Sequence, residues 1–316
     1  MKKYNILPLC LASMALVQSS LVFGGTFANE QKSESVFDKA IRPITSPTLF
    51  DLAVPRTQVN AIYINQVMPD NIELAGGGTA PLGGDFNVYA VQFEYALNER
   101  TSIIATKDGY IDFNPDNTAS SQSGFANLGA GIKRALIYDT KDQFILSGIV
   151  GAELPTGNSD VWQGEGMGAA DLRLTALKLY DRLQLAGSAS VHVPFDGAES
   201  LTGMFNLHAS YEISPWFIPV IEMSWFRVIN DGDGSFGFND QGGSLVPQNA
   251  AFEAGDLVNW GTANGEDNPD IVNLALGFRS RLSDNSTFGV AYEFPLTDDE
   301  ATLLSERVTA SLTYTF

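Results

Sequence analysis

Residues 201–213 read LTGMFNLHASYEI, and they alternate between two kinds of side chain. The odd-numbered positions carry Leu, Gly, Phe, Leu, Ala, Tyr and Ile, whereas the even-numbered positions carry Thr, Met, Asn, His, Ser and Glu. Successive side chains of a β-strand point to opposite faces. The alternation therefore predicts a strand that lies between an apolar and a polar environment.

Twelve runs of this kind cover most of the chain. They span 57–66, 86–97, 101–113, 124–137, 142–154, 169–180, 182–194, 201–213, 217–229, 270–282, 286–296 and 305–316. Most are longer than the roughly 5–6 residues of a typical soluble strand. They match the roughly 9–11 residues that a tilted strand needs to cross a bilayer.

The connections between these runs alternate in length. The short ones are 98–100, 139–141, 181, 214–216 and 284–285, and the longer ones are 67–85, 114–123, 155–168, 195–200, 230–269 and 297–304. Outer-membrane barrels have short turns at one end and long loops at the other. A soluble β-sandwich, the alternative, has no reason to sort its turns in this way. The sequence predicts an all-β fold, a single antiparallel up-and-down transmembrane β-barrel of about 12 strands over 57–316.

The N-terminus indicates export. Lys2 and Lys3 precede an apolar stretch that ends in small residues near Ala28, which predicts a signal peptide over 1–28. A transmembrane anchor is the alternative, but the stretch is short and interrupted by polar residues. We expect 29–56, which contains Arg42-Pro43 and Ser46-Pro47, to form a periplasmic N-terminal segment or a partial plug. The expected location is the outer membrane of a Gram-negative cell.

The last strand carries a more specific pattern. Apolar residues alternate up to the last residue of the sequence at Val308, Ala310, Leu312, Tyr314 and Phe316. This pattern resembles the C-terminal signature of bacterial outer-membrane proteins, which the barrel-assembly machinery reads. The resemblance implies that machinery, outer-membrane lipid and lipopolysaccharide as partners. A formal charge of −19 argues against binding to the phosphates of nucleic acid.

A second resemblance covers about twenty residues. The stretch Glu153-Leu-Pro-Thr-Gly157, followed by Gly164-Glu-Gly-Met-Gly168 and Asp171-Leu172, is similar to a stretch of the MetA-pathway phenol-degradation barrel family. Members of that family are described as outer-membrane proteins or transporters of hydrophobic compounds. The resemblance implies such a role here and leaves the solute unidentified.

The polar faces of the predicted strands place ionisable and amide side chains inside the barrel. These candidates for the lining of the lumen are Gln92, Glu94, Lys133, Asp171, Arg173, His192, His208, Glu222, Arg279, Arg281 and Glu293. In one interpretation they line a channel that selects solutes by charge and size. In the other they belong to a plugged barrel and pair with each other.

The loop 230–269 is long, acidic and free of Lys and Arg. Asp231 and Asp233 are weak candidates for a calcium site, since the rest of the EF-hand pattern is missing. We expect a solvated acidic loop, with divalent-cation bridging near anionic lipid headgroups as the alternative.

His208 and Ser210 share a strand face and resemble the His-x-Ser spacing of outer-membrane phospholipase A. The residues around this pair do not match that enzyme, so a phospholipase is a minor alternative. We expect no enzyme and no cofactor. The favoured hypothesis is passive passage of small or hydrophobic solutes. The alternative is a non-conducting structural or binding barrel that acts through its acidic outer loops.

Overall fold

The computed structural model describes residues 35–238 and 241–316. The predicted signal peptide lies outside the described residues. Sixteen strands are described: β1 Gln58–Val67, β2 Asn71–Glu73, β3 Thr79–Pro81, β4 Gly84–Asn98, β5 Thr101–Lys107, β6 Tyr110–Pro115, β7 Gln122–Phe125, β8 Leu128–Asp139, β9 Phe144–Leu154, β10 Ala169–Tyr180, β11 Leu183–Pro194, β12 Leu201–Tyr211, β13 Ile218–Asn230, β14 Asp270–Arg281, β15 Ser286–Pro295 and β16 Glu306–Thr315.

The sixteen strands form a barrel of twelve antiparallel strands, because two barrel strands are each interrupted and β2 and β3 lie outside the barrel sheet. Strand β4 pairs with both β5 and β6, which are successive parts of one barrel strand, and β7 and β8 form the next. The interruptions fall at 108–109 and 126–127. Strands β2 and β3 form a separate small hairpin within the connection 67–85.

The barrel is closed by its first and last strands. Strand β1 pairs with β4 on one side and with β16 on the other, with Tyr63 opposite both Tyr89 and Ala310. The Phe316 amide donates to the Thr57 carbonyl at 3.0 Å, which extends this seam to the last residue of the sequence. The prediction of a closed antiparallel barrel of about twelve strands is confirmed.

The outer surface is apolar and the interior face is largely polar. On β10, Leu172 and Leu174 are 49% and 50% exposed, whereas Asp171 and Arg173 are 4% and 3% exposed. Apolar side chains on the outside and polar side chains on the inside, repeated around a closed sheet, are typical of a barrel that contacts lipid. Within the described residues, no helix is both long and apolar enough to cross a membrane.

Two irregular segments fill the interior, which we name the plug and the loop insert. The plug, residues 36–56, buries Phe37, Phe50 and Leu52 against the inner wall. The loop insert, residues 231–269, contains the short helix α1 (Leu245–Asn249) and a single 3-10 turn at Gly265–Asp267. The other described 3-10 turns lie at Ser159–Val161 and Asp299–Ala301.

The expectation that 230–269 is a solvated acidic loop holds for only part of the loop, where Asp233, Glu266 and Asp267 are exposed. Glu253 is fully buried and Asp256 is a buried partner of Arg307. The reason is the apolar content of the insert: Phe236, Phe252 and Trp260 pack against wall residues such as Ile64 and Phe113. Burying these side chains stabilises the folded loop by roughly 1.5–3 kcal/mol each, which outweighs solvation of the loop as a whole.

Candidate functional site

The eleven candidate residues all lie on the interior face of the barrel. Nine are buried, and only His192 and Arg281 keep partial exposure. Most of them contact the plug or the loop insert. The polar side chains of the wall therefore serve as hydrogen-bond and ion-pair partners of these two segments.

The plug has no regular secondary structure, so its backbone groups must find other partners. Side chains of the wall supply them. Glu222 accepts hydrogen bonds from the amides of Ile44 and Thr45 at 2.9 and 2.7 Å, and from Thr45 Oγ1 at 2.6 Å. Gln184 accepts from the Ile41 amide at 2.9 Å and donates to the Ile41 carbonyl at 2.7 Å.

Cationic and amide side chains hold the carbonyls of the plug in the same way. Lys133 Nζ donates to the Leu52 carbonyl at 2.8 Å, and Arg279 Nη2 donates to the Pro43 carbonyl at 3.0 Å. Gln92 Nε2 donates to the Pro47 carbonyl at 3.0 Å. These contacts come from strands on several sides of the barrel. The plug is therefore fixed across the lumen rather than along one strand.

A buried ion-pair cluster joins the plug to β10. Asp51 pairs with Arg42 of the plug at 3.3 Å and with Arg173 of the wall, and all three residues are at most 5% exposed. Nearby, Glu94 pairs with Lys133 at 2.8 Å and accepts a bond from the Arg56 amide at 3.2 Å. Such pairs contribute little net stability when complete, but breaking one leaves a buried charge uncompensated.

The loop insert is held by a second buried cluster. Arg307 pairs with Glu293 of the wall at 3.3 Å and with Asp256 of the insert at 2.8 Å. Within the insert, Glu253 accepts from the amides of Ala254 and Trp260. Burial raises the pKa of the Glu253 carboxyl, while hydrogen bonds from Ser200 and the backbone oppose the shift.

An aromatic cluster at the long-loop end was missed from the sequence. The Trp162 ring lies 5.1 Å from the Trp260 ring and 4.4 Å from the Phe113 ring, and the Phe252 ring lies 5.4 Å from that of Trp260. The signal was present in the four large aromatic residues of 230–269 that would be unusual in a solvated loop.

The remaining candidates contact each other or residues near the short-turn end of the barrel. Asp171 and His192 lie 3.0 Å apart, and the Arg281 guanidinium donates to the Lys39 carbonyl at 2.7 Å and pairs with Glu212 at 3.0 Å. The two weak calcium candidates do not converge. Asp231 accepts from the Glu266 amide, and Asp233 accepts from the Ser235 amide in a local turn.

His208 lies between Ser210 and Glu222. Its Nε2 is 2.9 Å from Ser210 Oγ, and its Nδ1 is 2.7 Å from Glu222 Oε1. This order of groups resembles a hydrolytic triad. However, Ser210 is only 4% exposed, and the Glu222 carboxylate already binds the plug. The arrangement is that of a plug-holding hydrogen-bond network.

We expect the change Ser210→Ala to leave any phospholipid hydrolysis by the purified protein unchanged, because this hydroxyl is covered by protein. Release of fatty acid from mixed micelles measures this. Hydrolysis that is present in the original protein and absent from the variant would instead assign Ser210 as a nucleophile.

Comparison with known proteins supports the fold. No family model and no curated protein matches the sequence. Among solved structures, an outer membrane channel from Pseudomonas putida F1 is similar with a TM-score of 0.55 and 14% identity, over 83% of this chain and 96% of that chain. The NanC porin gives a TM-score of 0.47 and 6% identity, over 82% and 100% of the two chains. The toluene transporter TodX of Pseudomonas putida gives 0.39 and 8%, over 82% and 89%.

Proposed function

We propose that this protein is an outer-membrane channel for small or hydrophobic solutes whose lumen is closed by the plug and the loop insert. The observation that carries the proposal is the way the plug is bound. Its backbone is held by hydrogen bonds to polar wall side chains, such as Glu222, Gln184 and Lys133. Water can replace each of these bonds when the plug leaves, so the wall of the opened lumen remains solvated.

The charges of the wall support passage of uncharged solutes. Lys133, Arg173 and Arg279 lie on the same interior face as Glu94, Glu222 and Glu293. A lining of mixed sign does not select strongly for cations or anions. The resemblance of 153–172 to a family of hydrophobic-compound transporters favours hydrophobic molecules among the uncharged ones.

Liposome swelling with the purified, refolded protein tests the proposal. We expect swelling with a small uncharged sugar and uptake of a small aromatic probe, both slower than through an open porin because the inserts must move. Heat-modifiable migration on gels controls for an intact barrel. Liposomes that contain an intact barrel but neither swell with the sugar nor take up the aromatic probe would contradict the proposal and favour the structural or binding role.

Substitutions on the outer face of β10 test the proposed location in the outer membrane. We propose that Leu172 and Leu174 contact lipid, and that the outward residues Tyr314 and Phe316 present the assembly signal to the barrel-assembly machinery. Arg at a lipid-facing position costs about 2–4 kcal/mol at the bilayer centre and about 0–1 kcal/mol near the interfaces.

We therefore expect Leu174→Arg, in the middle of β10, to lower the free energy of unfolding from liposomes by about 2–4 kcal/mol. The matched control is Leu154→Arg at the end of β9, which is also exposed and should cost about 0–1 kcal/mol. Urea unfolding in liposomes gives both values. Equal costs at the two positions would argue against a bilayer around these strands.

A further inference from the structure

Three neighbouring strands bring a histidine and two carboxylates together in the lumen. Asp171 of β10 lies directly opposite His192 of β11, and Glu153 of β9 lies diagonally across from Asp171. The carboxylate oxygens of Glu153 and Asp171 and a ring nitrogen of His192 all lie within 4.8 Å of one another. Because all three residues belong to paired strands, the sheet itself fixes this spacing.

The histidine is oriented as a metal ligand would be. His192 Nδ1 faces Asp171 Oδ1 at 3.0 Å, while Nε2 lies 2.9 Å from Glu199 Oε2. A histidine that binds a metal through one ring nitrogen usually donates its other N–H to a carboxylate, which fixes the tautomer and the ring plane. Glu199 supplies that carboxylate, and Nδ1 is left facing Asp171.

The carboxylates around His192 outnumber the cationic side chains in contact with them, so the cluster can accept a divalent cation. Three carboxylates, those of Glu153, Asp171 and Glu199, face this point, and Lys107 Nζ is the cation in contact with Glu153, at 2.7 Å. With His192 neutral, the cluster carries a formal charge of about −2, and its side chains are at most 12% exposed. With His192 neutral, Asp171 and Glu199 lose the charge of their shared ion-pair partner, and a divalent cation would supply the offsetting charge.

A cavity adjoins the cluster. It has a volume of about 40 Å³ and lies where the plug, the loop insert and the wall meet, with Thr48, Asp256 and Asn259 on its border. Thr106, another lining residue, is 2% exposed, and its Oγ1 has no hydrogen-bond partner among the described residues. A polar hydroxyl without a partner on the wall of this cavity indicates that a hydrated ligand belongs there.

We propose that Glu153, Asp171 and His192 Nδ1 bind a divalent transition-metal cation of the Zn²⁺ type, with Glu199 positioning His192. One imidazole and two carboxylates suit such a cation, whereas Ca²⁺ and Mg²⁺ prefer oxygen ligands alone. Water from the cavity completes the coordination. The bound cation ties β9, β10 and β11 together between the two inserts. The site does not depend on the proposed passage of solutes.

Calorimetric titration of Zn²⁺ into the chelator-treated, untagged protein in detergent micelles tests the proposal. We expect one Zn²⁺ per chain with a Kd of about 10 μM or tighter, and visible absorption bands when Co²⁺ replaces Zn²⁺. His192→Gln and Glu153→Gln should each weaken binding at least tenfold. Glu199→Gln should weaken binding by about 10–100-fold and keep one cation per chain.

A matched control separates this site from other acidic side chains of the chain. Asp233→Asn changes an exposed acidic residue of the loop insert. This variant should bind Zn²⁺ as the original protein does. The proposal is overturned if no Zn²⁺ binds at 100-fold the expected Kd, or if His192→Gln binds as tightly as the original protein.

Discussion

Removing both inserts is expected to convert the protein into a steadily conducting pore. The plug and the loop insert have separate anchors on the wall, and we expect them to act as two resistances in series. Removing either one leaves the other in place, and each single variant should therefore conduct less than about a tenth of the double variant. This difference follows from the separate contacts of the plug with Glu222 and of the insert with Arg307.

The comparison uses three variants in planar bilayers: deletion of 36–53, replacement of 232–268 by a short Gly-Ser linker, and both changes together. Pairing between the barrel strands does not involve these residues, so all three should form barrels with heat-modifiable mobility. A double variant that forms a barrel and conducts no better than the original protein would show that other parts of the chain close the lumen.

Loss of the Asp51 carboxylate is expected to release the plug. Asp51→Ala leaves the buried guanidiniums of Arg42 and Arg173 without their shared partner. Removing one partner of a buried ion pair typically costs about 3–5 kcal/mol. If this cost falls on the bound plug, the fraction of molecules with a displaced plug rises by roughly 150–5,000-fold.

The displaced fraction can be measured by thiol labelling, because Cys10 is the one cysteine of the sequence and can be replaced. Ala53 of the plug is 1% exposed, so the reaction of a reporter introduced by Ala53→Cys with a small thiol reagent requires plug displacement. Asp51→Ala should speed this reaction at least 100-fold. The control Asp70→Ala, at an exposed position, should leave the rate unchanged. Equal rates in the two variants would mean that the ion pairs do not hold the plug.

The wall of the barrel was predictable from the sequence because its signal is local. The run 169–180 predicts β10, and the run 201–213 overlaps β12 at Leu201–Tyr211. The alternation of apolar and polar residues shows which side chains of such a run face inward. The strand can therefore be predicted without knowledge of its pairing or its tertiary contacts. The interruption at 108–109 was not visible, since apolar alternation continues on both sides of Gly109.

The contents of the lumen were not predictable, because they rest on contacts between distant residues. Ile44 and Glu222, or Leu52 and Lys133, meet only after the barrel has closed. The sequence placed polar side chains inside, but it could not tell whether water or the plug would satisfy them. The irregular backbone of 36–56 was a partial signal, since a segment without regular structure needs external hydrogen-bond partners.

Fixing the plug to the wall and recording the current tests directly whether the plug closes this barrel. In a variant that combines the replacement of 232–268 with Asp51→Ala, which releases the plug, Ile41→Cys and Gln184→Cys place two thiols where the plug backbone and the β11 side chain are in hydrogen-bond contact. A short bifunctional thiol reagent that contains a disulfide joins them. We predict that cross-linked channels stay closed and that reduction restores their current. Equal currents before and after reduction would contradict the claim that the plug closes this barrel.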